Sequence, residues 1–172
     1  MQPLYNQPRT LFGLAFVGCL ALILIALFLE HMMGLQPCPL CHIQRGIVVV
    51  FGVLCLIACI HNPGKGGRRG YAFFLLLVAA AGIATAGRQV WLQYLPKDQL
   101  PACLPSLEFM IAAFPIQDVI NMLVQGSADC AEVDWTFLGF SIAEMTLFGF
   151  SIMFVWSAYM LIKRFPRASI FK

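Results

Sequence analysis

Residues 11–29 read LFGLAFVGCLALILIALFL, nineteen positions without a charged side chain. A bilayer core about 30 Å thick takes roughly 20 apolar residues of helix to cross, so this stretch predicts a membrane span. It is longer than the apolar core of a secretory signal, and Leu29-Glu30-His31-Met32 lacks the small residues of a cleavage site, so the span is expected to be retained. Three further runs qualify. Ile43–Ile60 is apolar apart from Arg45, Tyr71 to about Tyr94 is apolar until Arg88, and Met145–Ile162 is uncharged. Continuous apolar runs without two-residue alternation predict helices rather than barrel strands. The expected fold class is an all-α membrane protein, a four-transmembrane-helix bundle in a single domain over residues 1–172.

Composition agrees. The chain is 60% hydrophobic and 11% charged, where soluble domains run about 45–50% and about 25%. A soluble enzyme and a disordered chain are excluded. The net charge of +3 is too small to imply a nucleic-acid partner.

Charge placement predicts the orientation. Arg9, Lys65, Arg68, Arg69, Lys163, Arg164, Arg167 and Lys172 flank the spans on one side, eight of the eleven basic residues. Lys97 lies in the loops of the other side, with Arg45 and Arg88 at the span ends facing it. The positive-inside rule then makes both termini and residues 61–70 cytoplasmic. The outer loops are about 30–42 and 95–143. A loop approaching fifty residues in so small a protein is expected to carry function. Within it Ile116, Val119, Ile120 and Leu123 recur at helical spacing. They predict a short amphipathic helix, either lying in the membrane interface or packed on the outer ends of the bundle.

The seven cysteines divide by depth. Cys19, Cys55 and Cys59 fall inside spans, where cysteine behaves as a small apolar residue. Cys38, Cys41, Cys103 and Cys130 fall in the outer loops, where disulfides persist. Cys38-Pro39-Leu40-Cys41 places a C-x-x-C just before the second span. A Cys41 thiolate there would sit against the positive end of a helix, which makes it a better leaving group and electron donor. Arg45 follows by four residues and would share its face. An arginine at a span end either snorkels to headgroups or serves a site; beside Cys41 it is expected to stabilise an anion. Arg88 is expected to snorkel or to pair with Glu30 or Glu144. Cys103 and Cys130 close a loop around the amphipathic stretch, and they serve either as a structural staple or as a second redox pair. Two pairs facing one compartment suggest a thiol–disulfide relay from an outside protein to the C-x-x-C. A lipid-soluble quinone fits as terminal acceptor.

These residues resemble the disulfide bond formation protein B (DsbB) family of bacterial inner membranes. Cys38-Pro39-Leu40-Cys41-His42-Ile43-Gln44-Arg45 is similar to its C-x-L-C-x-x-x-R signature. Asp129-Cys130-Ala131-Glu132, followed by Trp135-Thr136-Phe137-Leu138-Gly139, resembles the stretch around its last essential cysteine. The four-span layout matches over nearly the whole chain. The family belongs to the DsbA–DsbB–quinone system that keeps the bacterial periplasm oxidising. The resemblance implies that Cys103 is attacked by a reduced, periplasmic, DsbA-like thiol oxidase of thioredoxin fold, and that Cys130 resolves the mixed disulfide. Electrons would then reach Cys38–Cys41. Cys41 would contact a quinone from the membrane pool, ubiquinone rather than menaquinone, with Arg45 stabilising the charge that develops. The chain departs from the family at Ala143 and Met145, where members often carry Pro and Trp. It also lacks a histidine around Tyr94–Pro96, used near the quinone in some members.

Rival readings remain. Cys38-Pro39-Leu40-Cys41-His42 also fits the C-x-x-C-H of c-type haem attachment, the same cysteines with His31 and His42 suit a soft metal, and a structural or assembly bundle would use its disulfides as staples. The first leaves Cys103 and Cys130 unexplained, and a compartment that oxidises thiols opposes the second.

Overall fold

The computed structural model describes residues 7–34, 38–100, 107–131, 136–137 and 139–163. Cys103, residues 132–135 and the basic residues after Lys163 lie outside them. Six helices are present among the described residues: α1 (Pro8–Met33), α2 (Pro39–His61), α3 (Lys65–Gln93), α4 (Leu107–Ala113), α5 (Ile116–Gln125) and α6 (Ile142–Ile162). A two-residue hairpin, β1 (Thr136–Phe137) with β2 (Phe140–Ser141), precedes α6 and pairs Thr136 with Ser141 and Phe137 with Phe140. The helices α1, α2, α3 and α6 are each long and apolar enough to cross a membrane. The chain is an all-α, multi-pass membrane protein.

The long helices reach beyond the apolar runs because their ends are set by caps rather than by hydropathy. Prolines open α1 and α2, where a fixed φ and a missing N–H cost nothing. Gly34 and Asn62 close them in the left-handed conformation. On α3 the helix takes in Lys65, Arg68 and Arg69, with the Arg68 N–H bonded to the Gly64 carbonyl at 3.0 Å. At α6 a capping box sets the start. The Ser141 hydroxyl accepts from the Glu144 N–H at 3.2 Å, and the Glu144 carboxylate accepts from the Ser141 N–H at 2.8 Å.

Packing runs α1 on α2, α2 on α3 and α3 on α6. The main core joins Phe12 and Cys19 of α1, Phe51, Cys55 and Ala58 of α2, Ala72, Leu75 and Ala79 of α3, and Met160 of α6. Cys19 and Cys55 are thus core residues. Trp156 of α6 reaches across to Phe12, ring centroids 5.9 Å apart, and to Phe51. Small residues let α3 approach its neighbours closely. A Cβ added at Gly82 would lie 2.2 Å from the Phe150 ring. Outward faces are apolar, with Leu14, Phe28, Phe74, Phe148 and Val155 exposed, the pattern of helices solvated by lipid. Beyond the span ends, α5 packs on α2 and buries Val119 while Ile116 stays exposed. The helix thus touches the outer end of the bundle through Val119.

Candidate functional site

The site forms where the start of α2, the end of α3 and the returning outer loop meet. The sequence puts Cys41 ahead of a span beginning at Ile43. Pro39, suited to the first helical position, starts α2 earlier, so Cys38 is the N-cap and Cys41 lies in the first turn. One turn of helix then brings the two sulfurs to 3.0 Å. Both cysteines are thiols and both are partly buried. From that separation, closing an S–S bond of about 2.05 Å needs only a small shift.

The long loop returns Cys130 to the same place. After α5, Gly126 turns the chain with φ +75°, and the Ala128–Cys130 turn packs against α3. Cys130 is 1% exposed and packs with Leu40 and Leu92. Its sulfur lies 3.8 Å from the Ser127 hydroxyl, and Cys38 packs against the same small cluster. The first N–H groups of a helix have no partner within it, and the Cys38 side chain does not cap α2. Cys130 therefore supplies from a distant loop an acceptor at the positive end of α2. Cys41, in the first turn, shares that helix end as the sequence predicts.

The Cys38 thiol, ahead of backbone donors, holds Cys130 well below the usual thiol range, at about 6. The same pairing pushes the Cys38 thiol up. The Cys130 thiolate is thus present above the lowered midpoint and lost as pH falls through it. In a reduced Cys41→Ser variant, ultraviolet thiolate absorbance should rise with a midpoint near 6. Adding Cys38→Ala removes the main donor and should move that midpoint up toward the ordinary thiol value of about 8.5. A midpoint indifferent to Cys38 would refute the assignment.

Two glutamines complete the cluster. Gln89 of α3 and Gln44 of α2 are buried. The Gln44 amide donates to the Gln89 carbonyl oxygen at 2.7 Å, and Gln89 Nε2 lies 3.5 Å from Cys38 Sγ and 3.4 Å from Cys41 Sγ. Sequence reasoning missed both, although a signal was present. The buried seam of α3 runs Ala72, Leu75, Ala79, Gly82, Ala86 in alternating steps of three and four, and the next position in that register is Gln89. A polar residue in such a seam needs a partner.

Arg45 lies one turn from Cys41 on the same helix, and its guanidinium is 25% exposed. It pairs with Glu30 of α1 and donates to the Ala26 carbonyl at 3.3 Å. Glu30 is thereby engaged by Arg45 and Glu144 by Ser141, while Tyr94 also donates to Glu144 at 3.0 Å. Arg88 lies over the Trp91 ring, 4.4 Å from its centre. Of the five site residues expected from sequence, Cys38, Cys41 and Cys130 come together, Arg45 adjoins them, and Cys103 is outside the described residues.

The chain is similar to known proteins over most of its length. The family model of the disulfide bond formation protein DsbB matches residues 8–160. Disulfide bond formation protein B of Stutzerimonas stutzeri is 54% identical over 158 residues, 92% of this chain and 97% of the relative. Disulfide bond formation protein B 1 of Pseudomonas aeruginosa is 48% identical with the same coverage. The Marinobacter nauticus protein of that name is 44% identical over 160 residues, 92% of this chain and 95% of its own.

Proposed function

The chain belongs to the DsbB family of disulfide bond formation proteins, and on that premise we propose that it reoxidises a periplasmic, DsbA-like thiol oxidase and passes the electrons to a membrane quinone. The observation that carries this reading is the sulfur cluster itself: Cys38 packed against the cluster that holds Cys130, with the Cys38 and Cys41 sulfurs 3.0 Å apart. The chain lies in the bacterial inner membrane with both termini cytoplasmic, as the split of Lys and Arg implies. The site then faces the periplasm.

The relay balances. A partner dithiol gives up two electrons and two protons to the Cys103–Cys130 disulfide: one partner thiolate attacks Cys103 and expels Cys130, and the partner's second thiol resolves the mixed disulfide and expels Cys103. Released Cys130, held as a thiolate, attacks the Cys38 sulfur that it touches. The Cys38–Cys41 bond breaks, the electron pair leaves on Cys41, and a Cys38–Cys130 bond forms; Cys103 then attacks Cys130, re-forming Cys103–Cys130 and releasing Cys38 as a thiol. Attack at Cys38 rather than Cys41 follows from which sulfur Cys130 meets, and a thiolate near ambient pKa is the best nucleophile for exchange.

The residues beside Cys41 fit a quinone. Cys41 is partly exposed on the face that also carries Arg45. Glu30 and the Ala26 carbonyl engage part of the guanidinium, whose five N–H donors leave capacity for a ring oxygen. Cys41 and Arg45 would hold the ring, ubiquinone by preference. A bound quinone supplies a two-electron, two-proton acceptor. Glu30 keeps Arg45 at the membrane boundary, where a guanidinium without a partner is costly.

The test combines purified protein, a reduced thioredoxin-fold oxidase and a short-chain ubiquinone, with quinone absorbance followed against partner thiols. One quinone reduced per partner disulfide is expected. Arg45→Ala should raise KM for quinone about tenfold or more and leave KM for the partner within about twofold, a loss the size of one charged hydrogen bond. Quinone left unconsumed while the partner stays reduced would overturn the reading.

A further inference from the structure

Gln89 occupies the one position of the α3 seam that faces the cysteines with a polar group. A primary amide buried among membrane helices costs several kcal/mol unless its groups are bonded. Here the carbonyl end accepts from Gln44 Nε2, which leaves the NH2 end facing the sulfurs. Were the amide turned over, two NH2 groups would meet at 2.7 Å and a carbonyl oxygen would face the sulfurs. The Gln44 bond thus aims a donor at Cys38 and Cys41 together.

That donor discriminates between the two redox states. A disulfide sulfur is a weak acceptor, whereas hydrogen bonds to an anion are roughly twice as strong as neutral ones. When two electrons enter the Cys38–Cys41 disulfide, the S–S bond breaks. With one proton taken up, the products are one thiol and one thiolate, and the negative charge arises within reach of Gln89 Nε2. We propose that Gln89, oriented by Gln44, is a positioning residue that stabilises the reduced Cys38–Cys41 pair over its disulfide and so sets the reduction potential of the pair. The inference rests on the redox reading of these cysteines and adds the device that draws electrons toward them. The low dielectric of the site strengthens the bond.

The test needs neither quinone nor partner protein. Full-length protein in phospholipid nanodiscs, carrying Cys130→Ser so that Cys38 has only Cys41 beside it, is equilibrated in dithiothreitol redox buffers. The oxidised fraction of the pair is then read by differential alkylation and mass spectrometry. Gln89→Leu should shift the thiol–disulfide equilibrium about tenfold toward the disulfide, or about 30 mV at 29.6 mV per decade. Gln44→Leu should shift it the same way by a smaller factor, because the donor remains but is no longer aimed.

The double variant Gln44→Leu with Gln89→Leu separates tuning from packing. Replacing both partners of a buried hydrogen bond by apolar groups of similar shape is nearly neutral for stability. The double variant should therefore melt like its parent yet keep the full tenfold shift. A structural role alone predicts the reverse, a potential restored along with stability. An unshifted potential in Gln89→Leu, or a restored one in the double variant, overturns the inference. If the parent pair resists reduction in every buffer, the redox reading of Cys38–Cys41 fails. If it titrates normally but ignores Gln89, only the inference about Gln89 fails.

Discussion

Cys41→Ser is expected to lower turnover at least roughly a thousandfold, the scale seen when an enzyme loses its reacting nucleophile, while leaving the bundle folded. Serine is nearly isosteric, and its hydroxyl can still accept from Gln89 Nε2, which lies 3.4 Å from the sulfur. Cys41 is only partly buried and lies in the first turn of α2, apart from the core built by Phe12, Phe51, Cys55, Leu75 and Met160. A substitution of this kind changes stability by about 1 kcal/mol or less. The stapled-bundle alternative predicts the opposite pattern. Losing a structural disulfide costs about 2–4 kcal/mol, and a staple has no turnover to lose. Thermal unfolding in detergent, read beside quinone reduction by the same preparation, decides between them. A lowered melting temperature with turnover intact would remove Cys41 from the relay.

Much of the architecture was legible because a bilayer simplifies the problem. Length and apolarity alone locate α1, α2, α3 and α6, since lipid leaves the backbone few options. The C-x-x-C was legible too, because chemistry and position coincide at one helix start. What remained hidden is relational. Gln44 and Gln89 are 45 residues apart and meet only because α2 and α3 pack in one register. Elsewhere in the bundle small residues fix the approach, Gly52 of α2 against Cys19 of α1 and Gly82 of α3 against Phe150 of α6. Arg45 was paired by proximity in sequence with Cys41, whereas its carboxylate partner comes from α1. Glu30 reaches Arg45 rather than Arg88 because it sits at the end of the helix packed on α2. The place of Cys130 was the least legible. Spacing says that it lies in a long loop, and nothing local says that the loop folds back to offer its sulfur to Leu40 N–H. The two features that guide it there, a left-handed glycine and two leucines, carry no chemical signature of their own.

Gly126→Ala is expected to undock the Cys130 turn and reduce Cys38–Cys130 contact at least tenfold. Gly126 has φ +75°, and a Cβ there would lie 2.7 Å from Leu92 Cδ1 and 3.0 Å from Leu40 Cδ1. The left-handed backbone costs a residue with a side chain about 1–2 kcal/mol, and forcing a methyl group into a packed core costs about 1–3 kcal/mol more. Leu40 and Leu92 cannot easily yield, because both are fully buried and form one small cluster with Cys130. Each 1.4 kcal/mol is a factor of ten in an equilibrium, so even the lower range displaces most of the docked state. The readout is oxidative crosslinking of Cys38 to Cys130 in a Cys41→Ser, Cys103→Ser background, with unfolding of the bundle followed in parallel. The bundle transition should be unchanged, since its core is made by other residues. Gly139→Ala is the matched control: φ is +86° and nothing lies within 4 Å of an added Cβ. It carries the backbone cost without the clash, and its crosslinking should stay near that of the parent. Equal losses in the two variants would mean that backbone strain in the outer loop, rather than the seat against Leu40 and Leu92, governs where Cys130 lies. An undiminished crosslink in Gly126→Ala would show that the turn reaches Cys38 without that seat.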